Sequence, residues 1–456
     1  MLSLFSEYKY SKNYLIKMIL LGLCFFFIFG AYTLLKELKD AIFTIIVGYE
    51  NLPDAKAISL LLMIPMVLFY SWLSEKIKRN YLLSFYALFY AIGCLIISYY
   101  IQDPQIGLTN IIASKNRIFG WIVYLFFEGL SPFLVSLNWS FLNSISKPSD
   151  IKTFYIMMAA MAKIGAVFFA TLAWLFMSRH FDFCLLYSDV SLYAILLKLS
   201  SVALFFVPIL LLYLIIKLPA SELHGYVDIN EKNINKEKKT DTSKKGFNFG
   251  FFSIFNNPYV LSIVGMMFFW EIVNVIFNNL RLIIAFSEAK AISQFSSFLF
   301  KSSAMTNLIS FLFVIIGTNG IIRFFGERRG LLLIPILTGS MMILFLFYKT
   351  TTMVIITWTI IRVINLSLAT PIKESLYIPT SKDIQFKSKS WIDSFGQKFS
   401  KGIGSIYNKL IQFIPANIIN IFQISFFLLI ISFWTLLAYF LGKRWEKAIE
   451  KKEVIQ

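Results

Sequence analysis

Long apolar runs, broken at fairly regular intervals by short polar stretches, organise the chain from end to end. A helix needs about 20 consecutive apolar residues to cross a bilayer. That measure predicts helices near 14–48, 55–74, 81–101, 118–143, 153–177 and 192–217. A second set is predicted near 258–286, 293–318, 330–348, 351–374, 388–414 and 419–442, about twelve spans in two sets of six.

Between the sets lies a stretch of Lys, Asn, Glu and Asp, "ELHGYVDINEKNINKEKKTDTSKKGFNFG", which predicts a solvated linker. The expected division is a six-helix half over 1–217, a basic linker over 218–250, a second half over 251–442 and a tail over 443–456. Lys and Arg crowd the N-terminus, "SEKIKRN", "KPSDIK", the linker, "RFFGERRG", "SKDIQFKSK" and "KRWEKAIEKK", while the alternate loops carry few. The positive-inside rule then puts both termini in the cytoplasm. "WLSEKIKRNYLL" after the second span is echoed by "FFGERRGLLL" after the eighth. Two parallel six-helix repeats describe the major facilitator architecture, an all-α polytopic fold with its substrate site near the midplane.

Composition agrees: of 456 residues 58% are hydrophobic, 18% aromatic and only 15% charged. The formal charge of +18 suits anionic lipid or anionic ligands. Cys24, Cys94 and Cys184 are scattered and His180 and His224 lie far apart, so neither a disulfide framework nor a metal site is predicted. The first apolar run is too long for a signal peptide and lacks a small-residue cleavage site. Heavy use of Ile, Phe, Lys and Asn suggests an AT-rich genome, as in a reduced intracellular organism.

A charge at the centre of a spanning helix costs about 2.5–3.5 kcal/mol on an insertion scale, so such residues face a cavity, a partner or a pathway. Glu128, Lys163, Glu271, Arg281, Lys301 and Arg362 all fall inside predicted spans, and Lys373 and Glu374 close the tenth. Lys198 and Lys217 sit near span ends, where a long side chain reaches the headgroups. The segment "TLLKELKDAIFTIIVGYE" breaks the first run with Lys36, Glu37, Lys39 and Asp40. Lys36, Lys39 and Asp40 are spaced i, i+3, i+4 and so share one helix face, either as a self-paired surface patch or as an anion clamp.

Among inward candidates, Lys36, Lys39, Lys163, Arg281, Lys301, Arg362, Lys373, Lys398 and Lys401 outnumber Asp40, Glu128, Glu271, Glu374 and Asp393. Facing cations repel one another unless an anion joins them, and Lys and Arg bind phosphate well. A phosphorylated anion is the natural cargo.

Three stretches carry a resemblance. "LLKELKDAI" looks like the R-x-x-K-D motif of the nucleotide transporter family of plastids and of intracellular bacteria such as rickettsiae and chlamydiae, the bacterial-type ATP/ADP translocases, with Lys36 for the arginine and Lys39 and Asp40 matching directly. "EGLSPFLVSLNWSFLNSISKPSDIKTFY" is similar to the family's E-L-W … F-W-G-F-A-N-Q-I-T … E-A-K-R-F-Y segment at Glu128, Trp139, Phe141, Asn143, Ile145, Lys152, Phe154 and Tyr155. "IRVINLSLATPIKESLYIPTSKDIQFKSKSWIDSFGQKFSKGIG" resembles a third segment, ungapped, at Pro371, Lys373, Glu374, Tyr377, Pro379, Asp393, Lys401 and Gly404, with Lys398 for arginine.

The resemblance implies nucleotide transport, most often exchange of ATP for ADP, with important positions falling on Lys39, Glu128 and Lys373. It implies no enzyme activity and no cofactor. The seventh span departs from it: Asn274 and Asn278 stand where the family's V-E-V-T-W-K has its glutamate and lysine, and Glu271, one turn earlier, is a candidate replacement. Asn365 replaces a lysine, Thr370 an aspartate and Lys163 an asparagine. The expected protein is a monomer in the inner membrane of an intracellular bacterium, surrounded by the lipid bilayer, exchanging ATP and ADP by alternating access and binding no nucleic acid. Proton-coupled import of GTP, UTP, CTP or NAD is the alternative, and a non-transporting scaffold or receptor the more distant one.

Overall fold

The computed structural model describes residues 12–145, 151–219, 257–316, 318–377, 379–380, 384, 392, 396–451 and 453–455. The expected linker and Asp393 lie outside the described residues. Each predicted span has its helical run: α1 (Lys12–Ile46), α2 (Leu52–Lys76), α3 (Arg79–Tyr100), α4 (Ile118–Glu128) with α5 (Ser136–Ile145), α6 (Ile151–Met177) and α7 (Asp189–Lys217). The second set comprises α8 (Pro258–Glu288), α9 (Ile292–Ile316), α10 (Thr318–Phe347), α11 (Thr351–Ile364) with α12 (Thr370–Leu376), α13 (Gln397–Leu410) and α14 (Ala416–Glu450). Among the described residues nine helices are long and apolar enough to cross a membrane. α13, with 14 residues, is about 21 Å long and shorter than the hydrocarbon core.

Contacts divide the chain into two compact units. The first comprises Met1–Glu237 with Ala285–Phe311, the second Lys238–Ile284 with Leu312–Gln456. In the first unit α1 is the central element, buried along almost its whole length and packed on α6, α7 and α4. Where α1 meets α6 the backbones come so close that a Cβ at Gly165 would lie 2.2 Å from the Phe26 carbonyl oxygen, so only glycine fits there. Residues 285–311 are tied to this unit by specific bonds: the Tyr193 hydroxyl meets the Ser296 hydroxyl, and the Ser293 N–H donates to Asp189 at 3.2 Å. In the second unit α10 packs on α14 and α11, and α10 kinks at Gly326, whose φ of 72° only glycine adopts freely.

Two rods are interrupted alike. α4 passes into α5 through a π turn at Ser131–Val135, and α11 passes into α12 through a π turn at Asn365–Ala369. Such turns are rare and cluster at functional positions. The end of α12 is held from three sides: the Tyr259 hydroxyl donates to the Leu376 carbonyl at 2.7 Å, the Trp445 indole to the Ser375 carbonyl at 3.2 Å, and the Ile455 N–H to the Pro379 carbonyl at 2.8 Å.

Candidate functional site

In the first unit the charges of α1 find their partner on another helix. The Lys39 ammonium donates to Glu128 at 2.5 Å, lies 3.6 Å from Asp40, and sits 4.5 Å from the centre of the Tyr124 ring. Glu128, at the end of α4, is thus the closer carboxylate, and Asp40 is the second. Lys39 is only 8% exposed and Asp40 and Glu37 are buried with it, while Lys36 is half-buried. Breaking one side of a buried pair strands the other charge, at about 3–5 kcal/mol. Lys163, half-buried on α6, donates to the Asn307 amide oxygen of α9 at 3.3 Å, and Lys301 is exposed near the Trp174 ring.

In the second unit the cations are guanidinium groups around one indole. Arg281 is completely buried, with its guanidinium carbon 3.8 Å from the Trp358 ring centre, and Arg362 lies 5.4 Å from the same ring. Cation–π contacts of this kind, when desolvated, are worth about 2 kcal/mol or more. Arg281 also donates to Asn278 at 3.1 Å. Arg362 donates to the Asn274 amide oxygen at 3.3 Å, and the Asn274 amide N–H donates in turn to Glu271 at 3.4 Å. Glu271 is 2% exposed, so Asn274 acts as a bridge between a cation and a buried carboxylate one turn away. Lys373 lies on α12, on the wall of a cavity of about 150 Å³ within this unit.

Residues 6–445 match the TLC ATP/ADP transporter family. The chain belongs to that family. This TLC-family chain is 23% identical over 497 residues to ADP,ATP carrier protein 1 of Chlamydia pneumoniae, covering 96% of the chain and 94% of that protein. It is 25% identical over 476 residues to ADP,ATP carrier protein 3 of Rickettsia conorii, covering 92% of each. Solved transporters share its fold: a D-xylose–proton symporter (TM-score 0.63, 11% identity, 94% of this chain and 97% of that one) and a POT family transporter in complex with 5-aminolevulinic acid (TM-score 0.60, 13% identity, 94% and 96%). The TLC-family protein is therefore an all-α, major facilitator-like, multi-pass membrane transporter and not an enzyme.

The structure of this transporter joins Lys39 to Asp40 and Glu128, and joins Arg362, Asn274 and Glu271 into a separate chain of contacts in the other unit. Lys398 and Lys401 are half-buried on α13. Asn143 and Glu374 lie on helices, but their side chains fall outside the described residues. Sequence reasoning passed over Tyr124, Trp358 and Asn307. An aromatic residue near a buried cation is the signal that finds the first two, but in a chain with 49 phenylalanines, 22 tyrosines and 9 tryptophans that signal is diluted.

Proposed function

We propose that this transporter exchanges ATP for ADP by alternating access, binding the substrate phosphates with Lys and Arg side chains of both units: Lys36 and Lys39 in the first, Arg281, Arg362 and Lys373 in the second. The observation that carries this reading is the burial of Lys39 and Arg281 within membrane-crossing helices of a TLC-family chain. Interior cations earn their place when an anion is the cargo. Both named relatives are ADP,ATP carriers. Trading ATP for ADP moves about one net charge, worth about 2.3 kcal/mol per 100 mV, so the membrane potential biases direction. The protein works in the inner membrane of an intracellular bacterium with both termini in the cytoplasm.

The test is uptake of labelled ATP into liposomes preloaded with ADP or left empty. Exchange requires strong stimulation by internal ADP, and equal uptake into empty vesicles sinks it. Glu271 favours a second reading, proton-coupled import, because it is a buried carboxylate bonded to a neutral amide. In that case uptake into empty vesicles collapses with a protonophore.

A further inference from the structure

Each unit rests an interior cation on an aromatic ring, and the two rests are built alike. In the first, the Lys39 ammonium of α1 lies 4.5 Å from the centre of the Tyr124 ring of α4. In the second, the Arg281 guanidinium carbon of α8 lies 3.8 Å from the centre of the Trp358 ring of α11. α1 and α8 are the first helices of their sets. Tyr124 stands four residues before Glu128, and Trp358 four before Arg362, the two charged residues that precede the π turns. One helical turn therefore separates ring from charge in both rods.

Burial sets these rings apart. Tyr124 and Trp358 are each 1% exposed, and the cations they carry are 8% exposed at Lys39 and 0% at Arg281. Over other rings among the described residues the cations are exposed at Lys76, Lys217 and Lys301 and half-buried at Arg328. Attraction between a cation and a ring face grows once water is excluded. A ring face also does what a carboxylate cannot, which is to hold a cation without cancelling its charge. A guanidinium held by its face keeps its N–H donors for other partners, and Arg281 gives one to Asn278 at 3.1 Å. Arg362 lies 5.4 Å from the same indole centre, so one ring gathers two positive groups.

We propose that Tyr124 and Trp358 are positioning residues for phosphate binding: each ring keeps its cation in place and charged while the neighbouring carboxylate or amide gives way to the substrate. The proposal rests on the nucleotide reading above and adds two side chains that act through Lys39 and Arg281.

Fluorination separates a held cation from packing, because each fluorine drains the negative face of a ring while changing its size little. Tryptophans carrying one, two or three fluorines replace Trp358, fluorinated phenylalanines replace Tyr124 beside the Tyr124→Phe variant, and the full-length protein is reconstituted in liposomes. The KM for ATP is expected to rise about two- to threefold with each fluorine, while kcat stays within about twofold. Thermal unfolding in detergent falls in the same order. Tyr124→Phe keeps the face and is expected to stay within about threefold of wild type, whereas Tyr124→Leu raises KM about tenfold or more. The proposal is overturned if KM ignores the fluorine count at both positions, or if Tyr124→Phe loses as much as Tyr124→Leu. If the wild-type protein takes up no nucleotide, the nucleotide reading fails and the role toward phosphate fails with it, whereas unfolding that still follows the fluorine count keeps the rings as cation holders.

Discussion

The two units handle an interior cation in different ways. In the first, Lys39 on α1 meets a full carboxylate, Glu128, at 2.5 Å across to the end of α4. In the second, the cation is on the later helix: Arg362 of α11 reaches back to α8, where it meets the neutral Asn274 at 3.3 Å, and Asn274 in turn donates to the carboxylate of Glu271. Glu128 and Arg362 each stand three residues before a π turn, so the two arrangements occupy matching places with their polarity reversed. A carboxylate at contact distance neutralises its cation, and an incoming phosphate must displace it. On the reading proposed above, the first unit is thus the carboxylate-guarded side of the phosphate chemistry and the second the amide-bridged side.

The largest test of this contrast is removal of one guarded partner. Lys39→Ala and Glu128→Gln are each expected to abolish exchange and to destabilise the protein by about 3–5 kcal/mol, read as thermal unfolding in detergent. Lys39→Ala combined with Glu128→Ala should lose less stability than the sum of the singles, because neither charge is then stranded. Next comes Arg362→Ala. Loss of a charge-assisted bond to phosphate, about 1.5–3 kcal/mol, weakens ATP binding by roughly ten- to a hundredfold, with a milder effect on stability than either change at the guarded pair.

A smaller effect is expected from Asn274→Glu, which converts the amide-bridged side to the carboxylate-guarded kind. A carboxylate now competes with phosphate for Arg362, so the inhibition constant of ATP in an uptake assay should rise several-fold. If affinity instead improves, the charge-competition account is wrong. Glu271→Gln should have the least effect on exchange at neutral pH, about twofold. A variant that also loses its response to an imposed pH gradient would move the weight to proton coupling.

Much of the fold was legible because bilayer thickness sets helix length: the run expected at 81–101 is Arg79–Tyr100, and that at 258–286 is Pro258–Glu288. The chemistry was legible in part. Periodicity shows that Lys39 and Asp40 share a face but is blind to a partner 89 residues away, and so it favoured Asp40 over Glu128 as the orienting group. Glu271, the candidate replacement for the missing glutamate, is bonded by Asn274 itself, a contact within one helical turn. Neither the stacking of Arg281 on Trp358 nor the packing of residues 285–311 with the first unit leaves a trace in spacing, because both depend on tertiary contact alone. The π turns left no signal either, as "SPFLV" and "NLSLA" share only Ser and Leu, at different positions.

Those turns also bear on how the rods carry their charges. A π turn is what an α-helix becomes when it absorbs one additional residue without breaking. One begins three residues after Glu128 and the other three residues after Arg362, so each charged side chain stands about one turn before a local widening of its rod, where the regular spacing of side chains is reset.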